Sequence, residues 1–133
     1  MVYLSNIKIY SYTMSVTVKS FETTDDIREM PKVKVHMCDM GSAVAAKMIV
    51  QPGWSWSKCI KPIVGTKSCM AKHVGCLVSG CIHVKMDNGT ETDIHAGDAY
   101  VIEPGHDGWV VGDEEAVGYE FNTETAKNFG TKN

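Results

Sequence analysis

Apolar and polar positions alternate with a period of two along most of this chain, and turn residues break the alternation at short intervals. Val33, Val35 and Met37 fall on one face of an extended segment, with Lys32, Lys34 and His36 on the other; this predicts a strand with His36 toward solvent. Residues 43–50 make a second run, ended by Pro52-Gly53, and residues 74–78 a third, ended by Ser79-Gly80. Ile82, Val84 and Met86 then alternate with Cys81, His83 and Lys85, which places His83 toward water. Asp87-Asn88-Gly89 follows as a hairpin signal, because Asn-Gly accepts positive φ at both turn positions. Residues 90–94, 100–102, 109–111 and 117–121 continue the series, and Asp98 is expected to hold the turn it shares with Gly97. Helical periodicity is almost missing. The single helical turn expected is Asp25-Asp26-Ile27-Arg28-Glu29-Met30, with acidic residues near its start and Pro31 as its stop. Short strands with turn residues about every 8 to 12 positions predict an all-β sandwich or barrel in place of a parallel α/β sheet.

A chain of 133 residues is sized for one domain with a real core. We divide it into an N-terminal extension (1–31), in which Met14 is a second candidate start, a β-barrel domain (32–122) and a polar C-terminal tail (123–133). A net charge of −3 with 22% charged residues leaves no basic footprint for nucleic acid. No apolar run approaches the about 20 residues that span a bilayer, and Asn6, Lys8 and Ser11 interrupt the start where a signal peptide keeps an apolar centre. The expected location is the cytoplasm, without a membrane partner.

Five cysteines, Cys38, Cys59, Cys69, Cys76 and Cys81, are an odd number with no Cys-x-x-Cys pair, so they read as thiols and mostly as small buried hydrophobes. The stretch Gly97-Asp98-Ala99-Tyr100-Val101-Ile102-Glu103-Pro104-Gly105-His106 is richer. It predicts a turn, a strand and a Pro-Gly corner that delivers a histidine.

From Lys47 to Phe121 the chain resembles the cupin superfamily, through Gln51-Pro52-Gly53, Leu77-Val78-Ser79-Gly80, Gly97-Asp98 and Pro104-Gly105. The resemblance implies a double-stranded β-helix, a jelly-roll barrel, commonly homodimeric. It also implies a divalent metal held by two histidines and a glutamate of one motif and a histidine of a second. This sequence departs from that set. The glutamate position holds His73, the preceding histidine positions fall on Lys67 and Cys69 or on Thr66 and Ser68, and the second motif has Gly108 where its histidine belongs. What remains is similar to a cupin group with Gly-Trp-x-Trp and Pro-Gly-His-Asp-x-Trp motifs, here Gly53-Trp54-Ser55-Trp56 and Pro104-Gly105-His106-Asp107-Gly108-Trp109, together with residues 61–66. In that group the Cys59 position is often histidine.

The resemblance therefore points to Cys59, His73 and His106 as a three-ligand set. Imidazole and thiolate suit zinc, iron or copper, and three protein ligands leave one position for water or substrate. Strand parity puts Cys69 on the side of His73 and Cys76 on the other, making Cys69 the reserve ligand in the pocket and Cys76 a core residue. Trp56 and Trp109 are the candidate pocket aromatics, ahead of Trp54. Glu103, Asp107 and Lys61 are the other ionisable groups near the mouth, with surface positions as their default. Two readings stay open for His73 and His106, metal ligands or histidines hydrogen-bonded in a polar cavity. Three functions follow: a cupin that binds a small molecule and a divalent metal, a metal-dependent enzyme of oxygenase or isomerase type, and a structural dimer with a packed barrel.

Overall fold

The computed structural model describes residues 15–123 and 129. Among these, β1 (Ile27–Met30), β2 (Val33–Asp39) and β3 (Val44–Val50) precede two single-turn helices, α1 (Trp56–Cys59) and α2 (Lys61–Val64). Then come β4 (His73–Ser79), β5 (Cys81–Met86), β6 (Glu91–His95), β7 (Ala99–Ile102), β8 (His106–Val110) and β9 (Ala116–Phe121). They build a six-stranded sheet in the order β1-β2-β3-β9-β4-β7 and a three-stranded sheet in the order β6-β5-β8. Every pairing is antiparallel. Val35, Val50, Leu77 and Ala116 of the large sheet share one apolar core with Val84, Ile94 and Val110 of the small one. Leu77 and Val35 retain 1% and 0% of their exposure, so each contributes on the order of 1.5–3 kcal/mol of burial. The result is an all-β jelly-roll barrel.

Three local expectations change. Residues 27–30 are strand β1, not a helical turn. Pro31 and Lys32 form a two-residue turn with Lys32 at φ 61°, which folds Met30 opposite Val33 and Ile27 opposite His36. Proline presets the first turn position, and a six-residue helix has too few hydrogen bonds to offset its nucleation. At the β5–β6 hairpin only Gly89 takes positive φ, 90°, so the loop is a turn closed by one left-handed glycine. Met86 and Thr90 still pair across it at 2.8 Å. The two helices are the third change. Ser55 caps α1 by accepting from the Lys58 amide at 3.2 Å, and Gly65, at φ 77°, ends α2.

His36 has the outward parity expected of it, yet it is half-buried. Its Nδ1–H donates to the Phe21 carbonyl at 2.6 Å, because residues around Phe21 lie over the outer face of the sheet. The proposed start at Met14 and most of the C-terminal tail lie outside the described residues.

Candidate metal centre and cavity

Three segments bring donor groups to one end of the barrel. His73 opens β4, opposite Ile102 of β7. His106 opens β8 just after Gly105, whose φ of 93° makes the corner that turns the chain inward. Cys69 lies in the loop before β4 and pairs with His106 as an isolated bridge: its amide donates to the His106 carbonyl at 2.8 Å, and its carbonyl accepts from Gly105 at 2.7 Å. Ser68 fastens the same loop by donating to Asp87 at 2.7 Å. One ligand atom from each of Cys69, His73 and His106 lies within 4.8 Å of the others.

The hydrogen bonds fix which ring nitrogens face one another. His106 Nδ1 is 2.7 Å from the Glu103 carbonyl, which only accepts, so Nδ1 carries the proton and Nε2 is left for coordination. His73 Nδ1 donates to both oxygens of Glu120, at 3.0 and 3.2 Å, and turns Nε2 toward Cys69 Sγ at 3.7 Å. Glu120 is 1% exposed and accepts as well from Tyr100 at 3.1 Å and Thr123 at 3.0 Å. Anchoring the far nitrogen on a carboxylate or carbonyl is how proteins orient metal-binding histidines.

Charge in this cluster is strongly coupled. Burial pushes the Cys69 thiol up, but the adjacent His106 and His73 rings and the charge of His73 outweigh it and bring the thiol down to about 6. Burial pushes His73 down, and its bonds to Cys69 and Glu120 with their charges raise it to about 10. Without a metal, Cys69 and His73 are thus a thiolate–imidazolium pair backed by Glu120. Burial and the Glu120 charge push the Tyr100 hydroxyl up, so it stays a donor.

The cluster lies in the wall of a cavity of about 650 Å³, lined also by Trp54, Trp56, Met48, Ile60, Ile82 and Ile102. That volume is in the range of small-molecule sites. Trp56, Cys69, His73 and His106 all line it. Cys59 does not, and the cysteine that lies beside His73 and His106 is Cys69. One turn of α1 carries Trp56 and Ile60 to the cavity and leaves Cys59 half-buried against the core. Trp109 is a second correction. On β8 the inward positions are His106, Gly108 and Val110, so Trp109 points out and stacks on His83, with centroids 4.6 Å apart. Cys76 is not core but half-buried, on the parity opposite Gly75 and Leu77. Glu103 pairs with Lys72 at the surface, at 3.4 Å, and serves His106 through its carbonyl. Asp107 accepts from the Ser57 amide at 3.1 Å and steadies the start of α1, while Lys61 is exposed.

Glu120 is the site residue that sequence reasoning passed over. Its signal was parity: Ala116, Gly118 and Glu120 share the inward face of β9, and an acid at an inward position needs partners.

Among the described residues no helix is long and apolar enough to cross a membrane. Neither a protein-family model nor a curated protein matches the chain. Solved structures do match. An RmlC-like cupin from Shewanella frigidimarina is 21% identical, covers 80% of this chain and 90% of its own, and superposes with a TM-score of 0.53. KdgF from a Halomonas species is 18% identical over 82% of this chain and 92% of its own, also at 0.53. A protein of unknown function from Rhizobium leguminosarum is 14% identical over 81% of this chain and 96% of its own, at 0.58. Neighbours so far apart in sequence share an architecture with this chain, and that architecture is the cupin jelly roll.

Proposed function

We propose that this protein binds a divalent transition metal at the barrel mouth, through Cys69 Sγ and the Nε2 atoms of His73 and His106, and a small, largely apolar molecule in the cavity beside it. The observation that carries this reading is the pair of committed Nδ1 atoms, on Glu103 and Glu120, around three donors within 4.8 Å. Thiolate with imidazole favours zinc, iron or copper over calcium or magnesium. In a cavity-side position such an ion supplies Lewis acidity or redox chemistry to a bound molecule. The chain's own residues perform the rest. Glu120 holds His73 in the binding tautomer, Tyr100 and Thr123 hold Glu120, and Trp56 with Ile60 keeps the cavity apolar. The cavity supports binding over a barrel that is merely packed. Five free thiols fit a reducing compartment, the cytoplasm.

Three protein donors leave a coordination position open, which favours a metal-dependent enzyme as the second reading. Metal analysis of tag-free protein, reconstituted and dialysed, tests the site. The wild type should retain one equivalent more than Cys69→Ser, His73→Ala or His106→Ala, and Cys59→Ser should match the wild type. Equal metal in the wild type and the three mouth variants would falsify the proposal. Turnover of a cavity ligand, lost with the metal, would distinguish enzyme from binder.

A further inference from the structure

A second set of metal-type donors lies on the opposite surface of the small sheet, where the mouth chemistry does not reach. The ladder between β5 and β6 sets Cys81 directly opposite His95 and His83 directly opposite Asp93. All four have outward parity, while Ile82, Val84 and Ile94 between them face the cavity. One donor atom from each of Cys81, Asp93 and His95 lies within 4.8 Å of the others.

We propose that the outer face of the β5–β6 hairpin is a second metal site, holding a divalent transition ion such as zinc between Cys81 Sγ, an Asp93 carboxylate oxygen and a ring nitrogen of His95. Exposed carboxylates cluster on many surfaces without a metal, and the donor chemistry sets this cluster apart. A thiol and an imidazole are held opposite each other by backbone pairing, and soft donors select a transition ion. The third donor is positioned. His83 Nδ1 bonds Asp93 Oδ1 at 2.6 Å, and the His83 ring is stacked on Trp109 at 4.6 Å and 28°. This is a histidine orienting a carboxylate from behind, as a second layer of a metal site does. Asp98, which accepts from the His95 amide at 2.8 Å, adds negative charge beside the cluster; Lys85 lies at the other end of the ladder, opposite Glu91. Cys81 is half-buried and the other two are exposed, leaving the fourth position to solvent.

Cobalt(II) titrated into the reduced, tag-free full chain reads thiolate coordination directly by absorption. The wild type should show two equivalents with thiolate-to-cobalt bands, and Cys81→Ser and His95→Ala should each show one. His83→Phe should keep the second equivalent but bind it roughly 10- to 100-fold more weakly, as loss of an orienting partner does. Thiolate–cobalt absorption unchanged in Cys81→Ser, or a second equivalent of undiminished affinity in His95→Ala, overturns the proposal. Failure of the mouth site gives a different pattern: the wild type then binds one equivalent, which survives Cys69→Ser and vanishes in Cys81→Ser. Cys81, His83 and His95 lie outside the apolar core, and thermal unfolding of each variant checks that the fold is retained.

Discussion

Glu120→Gln is the perturbation that examines the mouth most directly. The carboxylate is buried, 1% exposed, and accepts from His73, Tyr100 and Thr123. Glutamine keeps the shape but replaces one acceptor oxygen with an amide NH2 that must face a donor. A hydrogen bond to a charged group is worth about 1.5–3 kcal/mol, and removing one partner of a buried pair costs about 3–5 kcal/mol. His73 keeps its bond to Cys69 when Glu120 is neutralised, so it is not left an unpartnered buried charge and the smaller cost governs, about 2–3 kcal/mol in the metal-free protein at pH 7. For a domain of this length that lowers Tm by roughly 10 °C. The loss depends on pH with a definite sign. His73 is held at about 10, above its ordinary 6.5, so its protonated form stabilises the fold fully below the ordinary value and this is lost as pH rises through about 10. The gap between wild type and Glu120→Gln should therefore narrow steadily from pH 7 toward pH 10. Urea unfolding of the metal-free proteins across that interval measures it. A gap below about 0.5 kcal/mol, the size of an ordinary surface substitution, or one that does not change with pH, refutes the argument.

Three further outcomes are expected. With its thiol at about 6, Cys69 is roughly nine-tenths thiolate at pH 7, so iodoacetamide should modify one cysteine in a fast phase. That phase should slow as pH falls below about 6, vanish in Cys69→Ser and be blocked by bound metal; a fast phase that persists in Cys69→Ser rejects the assignment. Metal at the mouth must displace the His73 proton, so competition titrations should show affinity rising about tenfold per pH unit between pH 7 and 9, and a flat profile contradicts the protonated His73. Gly75→Ala would drive a Cβ into the Tyr119 carbonyl oxygen and to 2.9 Å from Glu120 Cγ. It should lower stability by about 1–3 kcal/mol and weaken metal binding with it, and wild-type behaviour in both assays would sink the packing argument.

The two-residue period was legible wherever one face of a strand is buried, because a one-residue slip moves every apolar side chain to the wrong side. Val33, Val35 and Met37 on β2 and Ile82, Val84 and Met86 on β5 are such cases. His106 and Trp109 lie three positions apart on one strand and so face opposite sides, a parity that choosing Trp109 for its aromatic area overlooked. Cys59 was taken by resemblance, from a position that relatives fill with histidine. Local chemistry misled at residues 25–30, where acids before a proline resemble a helix start while Pro31 in fact turns β1 back onto β2.

The sequence by itself determined most of the strands and the barrel class, and its resemblance to cupins singled out His73 and His106. Alternation and turn chemistry are local, and they survive without any partner. The tertiary structure decided the donor set. Cys69 joins His106 through a bridge spanning 37 positions, and His73 meets Glu120 across 47. The opposition of Cys81 and His95 rests on the register of a hairpin whose loop type the Asn-Gly signal did not specify. Such meetings are set by how strands close into a barrel, and no period along the chain encodes them.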